Sequence, residues 1–132
     1  MTVDALTRID VSFPVGAISE TFVSDRIVAL ELRGEIDLAL EGELRLRALH
    51  ALDRNCHVIV DLSEATFVDA SVIGALLSSH REAEYRGAVL ALQMGTARIV
   101  ERVIELTGME DAIWRGRTRD EVVRFITAQD DP

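Results

Sequence analysis

The sequence predicts an α/β domain built on a mixed β-sheet flanked by helices, and three observations carry that prediction. The 132 residues are 48% apolar, enough for one ordinary core and too few for two domains. After two strand-like segments, the apolar spacing alternates between strand and helix periods to the end of the chain. Val58, Ile59, Val60 and Leu62 then form a nearly continuous apolar run, the mark of a central strand buried on both faces.

The elements follow in order. Ile9, Val11 and Phe13 alternate with Asp10 and Ser12, which predicts a first strand. Pro14 and Gly16 break it, and residues 14–25 read as a loop; residues 1–25 are taken as part of the same domain. Over 26–33, Val28, Leu30 and Leu32 alternate with Ala29, Glu31 and Arg33, and Gly34 closes this second strand. Leu40, Leu44, Ala48 and Leu52 recur at helical spacing over 39–52, with Asp37 placed as an N-cap or first-turn acid. The buried strand at 58–62 precedes a loop over 63–70 and a helix over 71–86 stopped by Gly87. A strand over 88–93, a helix over 96–106 ended at Thr107-Gly108, and a short strand over 112–114 come next. Thr118 and Glu121 form a capping box opening a last helix with Val122, Phe125 and Ile126 inward. The order is β-β-α-β-α-β-α-β-α, with the domain body at 26–127 and a frayed tail at 128–132.

Charge and composition exclude whole classes of function. The net charge of −9 disfavours nucleic acid and acidic membrane surfaces as partners. All 14 basic residues are arginine, so a phosphate-binding loop with its lysine and a Schiff-base enzyme are both excluded. The single cysteine, Cys56, cannot form an intramolecular disulfide and reads as an unreactive thiol. There is neither a signal-peptide pattern at the start nor an apolar stretch of membrane-spanning length, so the expected location is the cytoplasm.

Candidate chemistry concentrates in the segment from Val58 to Gly74, VIVDLSEATFVDASVIG. Ser71 stands at a helix start after Asp69-Ala70 and is expected to be the N-cap, its hydroxyl accepting from first-turn N–H groups, with Asp69 as a turn residue. The segment resembles the STAS domain of anti-sigma factor antagonists: an apolar strand, Asp-Leu-Ser, a link ending in Phe-x-Asp, then Ser-Ser-Gly-Leu-Gly. Asp69-Ala70-Ser71-Val72-Ile73-Gly74 occupies that last motif, and Leu32-Arg33-Gly34-Glu35-Ile36-Asp37 resembles the family's Leu-x-Gly-Glu-Leu-Asp. Leu106-Thr107-Gly108-Met109 resembles its Ser/Thr-Gly-Leu segment, and the likeness runs from about Arg26 to Thr127.

The resemblance implies a STAS-like fold and a protein without catalysis of its own. It implies that Ser71 is the phosphoacceptor of an anti-sigma factor that is also a serine kinase, with a phosphatase as a further partner. Unphosphorylated, the antagonist would bind that kinase and free a sigma factor; phosphorylated, it would let go. The implied contact face comprises Asp69, Ala70, Val72 and Ile73 together with a Gly34–Asp37 loop. Val72 or Ile73 is expected to be exposed as an apolar anchor, and the assembly state is a monomer or weak dimer. The chain departs from the pattern at Ala70, where the family has its first serine, and at Val72, where it has glycine. A branched side chain at Val72 is expected to crowd Ser71. The alternative reading is a scaffolding module in a stress-signalling or transporter-associated complex, with Ser71 a cap and nothing more.

Other candidates are weaker. His50, His57 and His80 lack zinc-ligand spacing, and no cofactor is expected. A Ser71–Asp69–histidine triad lacks the nucleophile-elbow pattern. Asp61 resembles the acceptor of a receiver domain but lacks its acidic pair and lysine. Trp114 and Tyr85 are isolated in sequence and predict no base-stacking platform.

Overall fold

Strands β1 (Ala17–Ser24) and β2 (Ile27–Ile36) form an antiparallel hairpin in the computed structural model, which describes residues 16–108 and 111–130. The strand expected at Ile9, Val11 and Phe13 lies outside the described residues. The loop expected over 14–25 is corrected, since residues 17–24 pair along β2 from Ala17↔Arg33 to Ser24↔Ile27. The segment hides its strand character because it is an edge. Only Ile18 and Val23 are even half-buried, so no apolar alternation is needed to hold it. Polar cross-strand bonds contribute instead, with Ser19 and Thr21 hydroxyls donating to Glu31 Oε1 at 3.3 and 2.9 Å.

The remaining strands are parallel: β3 (His57–Val68), β4 (Leu90–Gln93) and β5 (Arg115–Gly116), giving the order β1-β2-β3-β4-β5. β3 extends through most of the loop expected over 63–70. Its register to β2 slips twice, between Glu31 and Arg33 and between Gly34 and Glu35, each time adding one residue on the β3 side. Those bulges turn polar Glu64 and Thr66 outward, which is why the segment does not alternate as a strand. β4 is shorter than the 88–93 expected, and β5 falls just after 112–114.

Four helices complete the domain: α1 (Leu38–Asp53), α2 (Ala70–Tyr85), α3 (Arg98–Thr107) and α4 (Arg119–Asp130). α3 ends at Gly108, whose φ of 73° is the left-handed conformation glycine adopts without strain. Thr118 caps α4, its hydroxyl accepting from Glu121 N–H at 3.2 Å; the Glu121 carboxylate reaches back to the N–H of Arg117, one residue earlier than in the standard box. The tail expected over 128–132 is corrected in part. Ala128, Gln129 and Asp130 belong to α4, and Asp130 is held by Arg26 at 3.2 Å, with His57 Nε2 also 3.2 Å away.

The two faces of the sheet carry separate cores. On one, Leu30, Leu32, Val60, Leu62 and Leu92 pack with Leu44, Leu76 and Ile104 of α1, α2 and α3. On the other, Ile27, Ala29, Ile59 and Ala91 pack with Val122 and Ile126 of α4, the only helix on that face among the described residues.

Candidate functional site

The parallel pairing of β2 with β3 creates the site. Both strands end at the same level, Ile36 opposite Val68, and Asp69 N–H donates to the Ile36 carbonyl at 2.9 Å. The next residue of each strand is an aspartate that caps the following helix. Asp37 Oδ1 accepts from Ala39 N–H at 3.0 Å to start α1, and Asp69 Oδ1 accepts from Ser71 N–H at 3.0 Å to start α2. Two motifs over thirty residues apart in sequence thus meet at one edge of the sheet. The expected Gly34–Asp37 loop is the end of β2 with its cap, and Gly34 is required there by a φ of 76°.

The cap expected at Ser71 is corrected: the N-cap of α2 is Asp69. Ser71 is the second residue of α2, half-buried, and its hydroxyl donates to Asp69 Oδ1 at 3.3 Å. Helix rotation then separates its neighbours: Ala70 and Gly74 face solvent, whereas Val72 and Ile73 are buried in the core. The expectation that Val72 or Ile73 is an exposed anchor is therefore corrected. The same burial removes the expected crowding, because the Val72 side chain points away from the surface that carries Ser71. The apolar side chains exposed at this edge are Leu38 at 63% and Phe67 at 44%, which sequence reasoning missed. Leu38 was legible as the residue after a capping acid; Phe67 was not, because its exposure follows from the second bulge.

The edge is acidic. Glu35, Asp37 and Asp69 make no ion pair among the described residues, while Glu41 is held by Arg45 at 3.0 Å and Glu64 by Arg33 at 3.4 Å. The three histidines are dispersed. His57 opens β3 at the far end of the sheet, buried, with Nδ1 accepting from Val89 N–H at 3.0 Å; His80 lies nine positions along α2 from Ser71, about 13 Å of helix rise away, and His50 is exposed near the end of α1. No imidazole stands beside Ser71 to activate it as a nucleophile. No group of three metal-ligating side chains occurs among the described residues. Asp61 is engaged by Arg119 at 2.9 Å and by the Ser63 hydroxyl at 2.6 Å, and Cys56 is buried. Trp114, isolated in sequence, stacks on Phe125 with ring centroids 4.2 Å apart. No helix of the described residues is long and apolar enough to cross a membrane.

Comparison with known proteins places these features. The family model described as the STAS domain matches residues 19–123. Among solved structures, the anti-sigma factor antagonist SpoIIAA in its unphosphorylated form is similar with a TM-score of 0.73 and 21% identity, over 85% of this chain and 97% of that one. The Bacillus cell fate determinant SpoIIAA in its phosphorylated form gives 0.65 and 20%, over 83% and 99%. The murine anion transporter Slc26a9 gives 0.64 and 17%, over 95% of this chain but 24% of the transporter. At these identities the likeness is one of fold.

Proposed function

The chain belongs to the STAS domain family, and from that premise we propose that it is an anti-sigma factor antagonist switched at Ser71. Its partner in this reading is an anti-sigma factor with serine kinase activity, a phosphatase resets it, and the domain itself catalyses nothing. The observation that carries the reading is the position of the Ser71 hydroxyl. It sits at the N-terminal turn of α2, bonded among the described residues only to the Asp69 carboxylate, on an edge with two exposed apolar side chains.

The physics of a switch follows from that position. A phosphoryl group on Ser71 adds about −1.5 to −2 charges at the N-terminus of α2, where the helix dipole favours negative charge. The same charge falls among Glu35, Asp37 and Asp69, none of them ion-paired among the described residues. A partner surface fitted to a neutral hydroxyl would then face concentrated negative charge. A penalty of about 3 kcal/mol weakens binding roughly a hundredfold. Leu38 and Phe67 supply the apolar contact earlier expected from Val72 or Ile73, with Asp37, Asp69 and Ala70 around them. That SpoIIAA shares the fold in both phosphorylation states supports a switch needing no rearrangement of the domain.

The test is a paired pull-down from native extract with Ser71→Ala and Ser71→Glu baits, followed by phosphopeptide mapping of protein incubated with the recovered kinase. The expected result is a small kinase-type protein held by the alanine bait, lost with glutamate, and phosphate on Ser71. Equal recovery by both baits, or phosphate elsewhere, removes the switch and leaves the alternative reading of a scaffolding or interaction module.

A further inference from the structure

At the end of the sheet opposite Ser71, a cleft of about 510 Å³ opens between the C-terminal half of α2, the start of β4 and α4. Its size lies within the roughly 300–1,000 Å³ of sites that bury a small organic molecule. Leu90 and Ile113 form apolar walls, and the stacked pair of Trp114 and Phe125 forms a rigid aromatic side with its planes 1° apart. Gly116 is what lets the indole lie there, since a Cβ at that position would stand 2.7 Å from the ring.

The charged groups lining the cleft share one sign. Glu84 and Asp111, both exposed, stand at it, and no arginine lines it among the described residues. His80 completes the lining with Nε2 3.6 Å from Glu84 Oε1; its Nδ1 is shut off from solvent and has no hydrogen-bond partner among the described residues. Aromatic faces attract cations through their quadrupole, and carboxylates beside an apolar wall add to that attraction. The net charge of −9 raises the local concentration of any cation.

We propose that this cleft is a binding site for a small organic ammonium ion with a flat or apolar body. The body lies against Trp114, Phe125 and the aliphatic wall, and the ammonium group sits between Glu84 and Asp111. An inorganic cation would leave the apolar wall unused, and a carboxylate of the same shape would be repelled. None of these residues belongs to the Ser71 edge, so the two proposals stand or fall separately.

Trp114 is the only tryptophan, so its emission reports directly on occupancy. The probe is 2-phenylethylammonium titrated into the intact protein at neutral pH, with 3-phenylpropanoate as the anion of similar shape. The expected result is a saturable emission change with the cation below about 10 mM, and at least about tenfold weaker binding of the anion. The double variant Glu84→Gln/Asp111→Asn, altered only at exposed positions, should keep the native circular dichroism and bind the cation at least about fivefold more weakly. No saturable change, equal affinity for the anion, or unchanged affinity in the double variant would each overturn the proposal.

Discussion

Asp69 and Ser71 divide between them two roles that a sequence cannot separate. The aspartate satisfies the free N–H of the first turn, which leaves the serine hydroxyl available for chemistry. Replacing Asp69 with alanine should therefore cost about 1 kcal/mol, the usual value of an N-cap. Ser71→Ala should change stability by less than about 0.5 kcal/mol. Urea unfolding of both variants decides the matter, and an equal loss would return Ser71 to the cap. Serine and aspartate have nearly the same preference for cap positions, so composition alone could not move the expected cap from Ser71 to Asp69. Where β3 ends decided it, and two bulges set that point.

At the scale of elements, α4 is fastened at both ends. Arg119 in its first turn reaches three adjacent strands: Nη2 lies 3.0 Å from Glu31 of β2 and 2.9 Å from Asp61 of β3, and Nε donates to Gln93 of β4 at 2.6 Å. At the other end Asp130 meets Arg26, from the turn between β1 and β2, and lies beside His57. Burial opposes ionisation of Glu31, yet hydrogen bonds from Arg119, Thr21 and Ser19 and the Arg119 charge outweigh it, holding the carboxyl below its ordinary range. A carboxyl depressed in the folded state stabilises above its unfolded pKa and loses that contribution as pH falls through the folded one. Arg119→Ala should thus cost about 1–3 kcal/mol at pH 7, discounted for partial exposure, and progressively less toward about pH 3. Urea midpoints at both pH values measure it; a loss independent of pH would mean the guanidinium acts by packing alone. None of this network was legible. Glu31 and Asp61 lie 88 and 58 positions from Arg119, and only the register Glu31↔Asp61↔Gln93 aligns them beneath α4.

The whole molecule is a sheet with unequal covers, three helices on one face and α4 alone on the other among the described residues. Ile126 is fully buried in the smaller core, with Val122 as its neighbour on α4. Ile126→Ala should cost about 2–4 kcal/mol in chemical unfolding, because so thin a layer has little with which to refill the cavity. A cost below about 1 kcal/mol would show that α4 contributes little to holding that face.

Periodicity alone determined the strand and helix order after residue 26, the buried central strand and the Asp37 cap, because those features are set by neighbours three or four residues away. The separated motifs identified the family, and the match to residues 19–123 agrees with them. Tertiary structure decided the rest. A polar edge strand gets its hydrogen bonds from a partner strand, so β1 has no pattern of its own to read. Bulges shift register without changing composition, so Phe67 emerged only once β3 had paired with β2, while the rotation of α2 turned Val72 into the core. The cleft beside Trp114 likewise exists only because α2, β4 and α4, distant in sequence, converge at one end of the sheet.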